Sequence, residues 1–478
     1  MEQKKQNSSV RVRFAPSPTG YLHIGNLRAA IFNWLFARHN NGAFLLRIED
    51  TDKERSKKEY ELYMFESLKW MGIDFDETPV VQSERMGIHK EVIEKLIAEG
   101  KAYKCYCSQG EIDQRLKERD GHKDLFSGYD GHCAKHAEAQ PENKPFVVRF
   151  KLPKDKKEVI FNDLIRGEIK FELTQFDDFI IARSDGTPMY NLAVVVDDDF
   201  MDITHVIRGE DHISNTPKQI LLYEACGYKV PQFAHVPLIL GPSGDKLSKR
   251  DAAVSVLEYR DQGFLPEALF NYLVRLGWSH GDQEIFSKQE LVSLFDLDHV
   301  GKKGAIFDID KLSWLNGVYI REKTAQELSA IIQKDLGFNL ETIFNAWGEA
   351  KLFKLLDLYK ERVKTLKELV ESLELLYNGP TEYDQKALEK WVTADTKKYV
   401  TALIECLEKI TQEDFTHDML AQQVKALSKE LGIKLVALAQ PIRISLTGSS
   451  ASPGVFELLE IVGKQESIQR LRAFLKKI

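Results

Sequence analysis

Two short segments, far apart in the chain, hold residue types suited to handling phosphate. The first, Ala15-Pro16-Ser17-Pro18-Thr19-Gly20-Tyr21-Leu22-His23-Ile24-Gly25-Asn26, passes through a Pro/Gly turn and a histidine into a run with helical spacing. A helix start behind a tight turn presents unpaired backbone N–H groups and the positive end of the helix dipole, and both favour a bound phosphate. His23 can hydrogen-bond phosphate oxygens there, and Gly25 lets a ligand approach closely. The second segment, Lys246-Leu247-Ser248-Lys249-Arg250, follows Gly241, Pro242 and Gly244. Two ammonium groups on such a loop can neutralise a leaving pyrophosphate as the transition state forms. Alone, the first has an ordinary reading as a strand–helix turn and the second as a solvated basic loop. Together they describe two jaws that could close on a polyphosphate.

The surrounding patterns say what must hold those jaws. Val10, Val12 and Phe14 alternate with Arg11 and Arg13, as in a strand, and Leu27, Ala30, Ile31, Trp34 and Leu35 recur at helical spacing. Ala43 to Ile48 is a second strand-like run ending in Glu49-Asp50-Thr51-Asp52, which completes a βαβ unit. From about 93 to 188 come clustered cysteines, Pro/Gly/His-rich stretches and short strands at Phe146 to Leu152, Glu168 to Leu173 and Phe179 to Ile181. This reads as an inserted α/β module. Apolar runs return at Leu192 to Val196, His205 to Ile207 and Val236 to Leu240, as expected for strands buried on both faces of a parallel sheet. Polar residues follow each run: Asp197-Asp198-Asp199, Arg208-Gly209-Glu210-Asp211 and Gly241-Pro242-Ser243-Gly244. Open α/β sheets bind ligands just beyond the carboxyl ends of their strands, so the pattern itself places a site. The three aspartates read as strand-end, loop and capping residues rather than as a metal site.

Past about residue 325 the strands give way to helical stripes. Leu352, Leu355, Leu356 and Tyr359 form one, Leu420, Val424, Leu427 and Leu431 another with Gly432 as its C-cap, and Ile468, Leu471 and Leu475 a third. The expected fold class is α/β: a Rossmann-type doubly wound parallel sheet in two halves (10–92 and 189–240) around an insertion (93–188). A region carrying the basic loop (241–325) and an all-α region of one or two subdomains (326–478) follow.

Composition sets outer limits. A chain of 478 residues exceeds one core and fits about three or four domains. With 43% hydrophobic and 29% charged residues it has the balance of a soluble globular protein. No apolar run approaches the ~18 residues of a membrane span, and Met1 to Ser9 lacks the apolar stretch of a signal peptide. A cytosolic monomer without membrane partners is the expectation. The net charge of −7 argues against a protein that coats nucleic acid, yet leaves room for a local basic face. Five cysteines cannot all pair, and Cys105, Cys107 and Cys133 cluster in a way that suggests metal in a reducing compartment; Cys226 and Cys406 read as buried thiols.

With these segments in view, the chain resembles a class I aminoacyl-tRNA synthetase. His23-Ile24-Gly25-Asn26 stands for the H-I-G-H signature and Lys246-Leu247-Ser248-Lys249-Arg250 for K-M-S-K-S. Arg13-Phe14-Ala15-Pro16-Ser17-Pro18-Thr19-Gly20, Arg47-Ile48-Glu49-Asp50-Thr51-Asp52 and Val206-Ile207-Arg208-Gly209-Glu210-Asp211-His212 resemble the bacterial glutamyl-tRNA synthetase family more closely. Asn26, Leu247 and Arg250 depart from the general signatures in ways usual for that family.

The resemblance implies a two-step reaction, in which glutamate attacks the α-phosphate of ATP and the glutamyl group then passes to the terminal adenosine of tRNA. It implies Mg²⁺ bound through the ATP phosphates, with His23, Lys246 and Lys249 as catalytic residues. ATP would contact His23, Gly25, Asn26, Ile239 and Lys249, and L-glutamate would contact Arg13, Ser17, Glu49, Tyr190 and Arg208. Glu49 would meet the ammonium group, and Arg208 would tell glutamate from glutamine, because a buried arginine opposite a neutral amide leaves its charge unpaired. Val194 stands where some members have asparagine, so that contact is not carried over. The insertion becomes an acceptor-end module, 241–325 a stem-contact region and 326–478 an anticodon-binding region for glutamate tRNA, with glutamine tRNA a further candidate. Cys105-Tyr106-Cys107 with Tyr129 to His136 resembles the zinc-binding insertion of some members, with Cys105, Cys107, Cys133 and His136 as ligands to a structural Zn²⁺ and Tyr129 as a rival fourth ligand. A glutaminyl enzyme is disfavoured by Arg208. A shortened tRNA-modifying relative or a small-molecule nucleotidyltransferase would not need the long helical region.

Overall fold

The computed structural model describes residues 10–52, 54–120, 128–136, 144–245, 247 and 255–478. Of the basic segment, Lys246, Ser248, Lys249 and Arg250 lie outside the described residues.

The βαβ unit forms where the alternation places it. Strand Arg11–Phe14 and strand Ala43–Ile48 pair in parallel, with Arg11 opposite Ala43 and Phe14 opposite Leu46, and helix Ile24–His39 connects them. The short strand Val80–Val81 extends the sheet beyond Ala43–Ile48. On the other side, strands His205–Gly209 and Gln232–Val236 form a second parallel pair. Thr204, just before that pair, donates its N–H to the carbonyl of Arg11 at 2.9 Å and so joins the two halves. The chain winds outward in both directions from Arg11–Phe14 and His205–Gly209, and a sheet of this kind opens a crevice at such a switch point.

Leu192 to Val196 is not a strand but part of helix Tyr190–Phe200. Every residue from Leu192 to Asp198 is buried, so no exposed polar position marks a helical period, and a short apolar run then reads equally as a strand. Asp197 and Asp198 are accordingly buried helix residues rather than strand-end loop residues. The run expected at Val236 to Leu240 is divided between Gln232–Val236 and a separate two-residue strand, Ile239–Leu240, paired with Ala305–Ile306. Pro237 lies between them and cannot donate to a ladder.

Within the insertion, strands Ala102–Cys105, Val147–Phe150 and Ile180–Ala182 make an antiparallel sheet. A hairpin of Glu158–Asp163 and Gly167–Glu172 turns instead to the central sheet, where Asp163 pairs with Phe233. The first strand of that hairpin alternates, with Val159, Phe161 and Asp163 buried and Ile160 exposed. Its apolar face joins a core that includes Leu192, Val195, Val206, Leu222 and Phe233.

Contacts divide the chain into two units: residues up to Leu257 with Leu269–Ile309, and Glu258–Ala268 with Asp310–Ile478. The second unit is helical, and the expected stripes fall on helices Glu349–Lys360, His417–Glu430 and Lys464–Leu475. Gly432 has a φ of +67°, the left-handed conformation that ends a helix without a Cβ clash. Asn316 stitches the outlying segment to this unit, accepting from Leu265 N at 2.8 Å and donating to Lys364 O at 2.7 Å. Buried Arg470 donates to the carbonyls of Leu376, Tyr377 and Leu446, which are orphan acceptors in the last turns of helices Leu366–Asn378 and Val436–Thr447. Thr324 caps helix Ala325–Asp335, accepting from Glu327 N, while the Glu327 carboxylate accepts from Thr324 N in return. Among the described residues no helix is long and apolar enough to cross a membrane.

Candidate active site

His23 is the N-cap of helix Ile24–His39, with its backbone extended and its Nδ1 accepting from Gly25 N at 3.2 Å. The imidazole therefore covers the first turn, taking up the Gly25 N–H, while Asn26 beside it is exposed. A Cβ at Gly25 would lie 3.1 Å from the His23 ring, tighter than ordinary packing, so glycine leaves the ring its place. The chain beyond the basic segment returns to this point, since Ser255 bridges to His23 and Val256 N donates to Leu22 O at 2.9 Å. Ile239 is buried, and its carbonyl accepts from Leu247 N at 3.1 Å. The structure thus brings His23 and the strand before the basic segment to the carboxyl side of the sheet. It leaves the two lysines undescribed.

Beside the helix start lies a cluster of buried charges. Arg13, on Arg11–Phe14, donates Nε and Nη2 to the two carboxylate oxygens of Asp198 at 3.0 and 3.2 Å. Arg47, on Ala43–Ile48, donates to the same Asp198 and, at 3.0 Å, to Glu49 Oε1. Burial alone would raise the Asp198 carboxyl, but the two guanidinium groups hold it at about 2. Glu49 goes the other way: burial raises it, and Arg47 only partly opposes this. Glu49 N donates to Pro16 O at 3.0 Å, which ties it to the turn bearing exposed Ser17. One residue before Asp198, Asp197 accepts from Gln82, Arg85 and His89 at 2.7 to 2.9 Å.

Arg208 enters from His205–Gly209 and is 7% exposed. Its Nε donates to His235 Nε2 at 3.2 Å, and its Nη2 to Thr216 Oγ1 at 2.8 Å and to His212 O at 3.4 Å. Its Nη1 is buried with no hydrogen-bond partner among the described residues. Glu210, two residues on, pairs with Arg166. Burial lowers the Arg208 guanidinium, and among the described residues no carboxylate bonds to it. Tyr190 opens helix Tyr190–Phe200, with its hydroxyl 3.1 Å from His212 Nδ1. Its electrostatic neighbours are Arg208, Glu49 and Arg13. Arg13 and Glu49 are thus joined through Asp198 and Arg47, Tyr190 and Arg208 through His212, and Ser17 adjoins Glu49 through Pro16.

Asp163, His235 and Thr216 did not figure in the sequence reading of the site, and Asp198 and Arg47 were quoted there without a role. Arg47 carried a usable signal, since a charged residue inside a buried strand demands a buried partner.

In the insertion the thiols of Cys105, Cys107 and Cys133 all lie within 4.8 Å of one another. His136 does not belong to this cluster; it is exposed and its ring lies against His132. Tyr129 is close, with Oη 3.8 Å from Cys107 Sγ and accepting from Cys133 N at 2.7 Å. Burial pushes the Cys107 thiol up to about 11, whereas hydrogen bonds hold Cys133 below its ordinary value against burial. Three soft donors so placed suit Zn²⁺.

A helix start and a guanidinium-bearing strand end, facing across the switch point of a parallel sheet, define the catalytic domain of a class I synthetase. Residues 9–314 match the family model described as tRNA synthetases class I (E and Q), catalytic domain, and residues 324–475 match an anticodon binding domain. The chain is 47% identical to the glutamate–tRNA ligase of Thermodesulfovibrio yellowstonii, over 97% of this chain and 98% of that protein. Identity to the glutamate–tRNA ligase of Geobacter sulfurreducens is also 47%, with the same coverage. A crystal structure of a glutamate tRNA ligase from Elizabethkingia meningosepticum, in complex with its amino acid, matches with a TM-score of 0.84 at 33% identity, covering 98% of this chain and 99% of that one. The chain belongs to the glutamate–tRNA ligase family.

Proposed function

We propose that this chain activates L-glutamate with ATP and transfers it to the 3′-terminal adenosine of tRNA, using the two clusters at the switch point. The observation that carries the reading is Arg208: a buried guanidinium with only neutral hydrogen-bond partners and one edge unpaired. A carboxylate is the group that satisfies such an edge, and a planar guanidinium binds it in a fixed orientation. Arg208 meets the side-chain carboxylate of glutamate, Glu49 the ammonium group, and Arg13, Ser17 and Tyr190 complete the pocket. The α-carboxylate then faces the ATP phosphates at the helix start, where His23, Gly25 and Asn26 bind, with Ile239 beside the adenosine.

Lys246 and Lys249 neutralise the departing pyrophosphate, and Mg²⁺ travels with ATP. No nucleophilic side chain is needed, because the substrate carboxylate is itself the nucleophile and catalysis is positioning and charge stabilisation. The helical region binds the anticodon end of glutamate tRNA. Cys105, Cys107 and Cys133 hold a structural zinc, with Tyr129 nearer than His136 as fourth ligand.

The direct test charges purified glutamate and glutamine tRNAs with each amino acid. Glutamate should be attached, and attachment of glutamine alone would refute the proposal. Arg208→Ala should lower kcat/KM for glutamate by about a hundredfold or more, the equivalent of one charge-assisted contact of about 3 kcal/mol.

A further inference from the structure

Behind Arg208 runs a chain of buried hydrogen bonds that the reaction itself does not use. Asp163, at the end of strand Glu158–Asp163, accepts from four N–H groups. Its Oδ2 takes His235 Nδ1 at 2.6 Å and His235 N at 3.0 Å, and its Oδ1 takes Ile165 N at 3.0 Å and Arg166 N at 2.9 Å. With every contact a donor, Asp163 is an ionised acceptor that cannot rotate. His235 Nδ1 must therefore carry the ring proton, which leaves Nε2 as an acceptor toward Arg208 Nε at 3.2 Å. Both His235 and Asp163 are fully buried.

We propose that Asp163 and His235, together with Thr216, are positioning residues: they aim the Arg208 guanidinium at the glutamate side chain without neutralising it. The inference rests on the reading of Arg208 given above. Its physical basis is the choice of partners. A carboxylate placed directly on Arg208 would hold it equally well, but would satisfy its charge and compete with the substrate. The neutral Nδ1–H imidazole and the Thr216 hydroxyl fix the Nε–Nη2 side of the planar group instead. Fixing one side of a planar fork fixes the other, and the remaining nitrogen, Nη1, is the one without a partner. A protonated His235 would oppose Arg208 with like charge, and burial lowers its pKa accordingly.

The test uses the full chain in steady-state tRNA aminoacylation, with KM measured separately for L-glutamate and ATP. His235→Leu should raise the glutamate KM about tenfold or more, with the ATP KM within about twofold, since one hydrogen bond to a charged group is lost. His235→Gln keeps an acceptor oxygen near the Nε2 position and should restore the glutamate KM to within about threefold of the parent. A folded His235→Leu protein with an unchanged glutamate KM, or with both KM values raised in proportion, would overturn the proposal. So would an equal defect in the Gln variant. If His235→Leu does not fold, Thr216→Val removes the Nη2 contact at nearly constant volume; it should raise only the glutamate KM, and no change there defeats the idea. Arg208→Ala run in parallel separates the two readings. An unchanged glutamate KM in that variant defeats the assignment of Arg208 itself, whereas a large loss there beside a normal His235→Leu protein defeats positioning alone.

Discussion

The two units of this molecule solve the problem of a stable interior in opposite ways. In the catalytic unit Arg13, Arg47, Glu49, Asp163, Asp197, Asp198 and Arg208 are all buried, and most are locked to partners distant in sequence. In the helical unit Arg470 is the one charged side chain that is buried among the described residues, and three of its bonds go to backbone carbonyls. The remainder of that described interior is uncharged, mostly apolar as on Val400, Leu403 and Leu407 of helix Thr396–Lys409, with neutral polar groups such as Asn316 and Ser445. A buried ion pair adds little net stability over an apolar pair of the same size, but losing one member is costly. The catalytic unit accepts that sensitivity because chemistry needs charges at fixed places, whereas the helical unit relies on packing and caps.

The sharpest way to break this contrast is Asp198→Ala, which strands Arg13 and Arg47 in the interior. A loss of about 3–5 kcal/mol is expected in denaturant unfolding of the catalytic unit, with hydrogen-exchange protection in the helical unit unchanged. A mild, evenly shared effect would show that the cluster is not the keystone described.

Acid supplies a second test. Asp198 is held at about 2 when folded, against roughly 3.9 in an unfolded chain. A depressed carboxyl gives its full contribution above the unfolded value and loses it as pH falls through the folded one. Between about pH 4 and pH 2 the catalytic unit should therefore lose on the order of 2 kcal/mol from this residue. Asp197 and Asp163 are shifted in the same direction. Acid unfolding of Asp198→Asn should be visibly flatter over that window; identical slopes for variant and parent would sink the assignment. The smallest effect belongs to the helical unit, where Thr324→Ala removes a cap worth about 1 kcal/mol. That loss should appear in thermal melts while the KM for glutamate and for ATP stays fixed.

These contrasts also explain what could be read from residues alone. The first βαβ unit was legible because Val12 and Phe14 face one way while the helix Ile24–His39 follows a recognisable turn. The helical stripes were legible because each has an exposed face to give it a period. Helix Tyr190–Phe200 was misread because burial on every side erases the period, and its aspartates then looked like loop residues. Arg13, Glu49, Tyr190 and Arg208 could be expected at a glutamate site one at a time from the family resemblance. Their supports could not: Asp198 meets Arg13, and His235 meets Arg208, only through sheet order and helix placement. The fourth metal position stayed open between His136 and Tyr129 in the same way, because only the fold shows that Tyr129 lies beside the thiols.

The placement of Arg470 bears on how the chain folds as it is made. Synthesis proceeds from the amino end and domains generally fold as they emerge, so the catalytic unit has all its parts once Ile309 has left the ribosome. The helices ending at Asn378 and Thr447 must wait much longer, because the guanidinium that satisfies their last carbonyls comes from Arg470. The segment Glu258–Ala268 waits too, since Asn316 anchors it only after the catalytic strands are complete. A nascent chain stalled before Arg470 would thus carry a finished catalytic unit beside an open helical one, and that open form is the species a chaperone would meet.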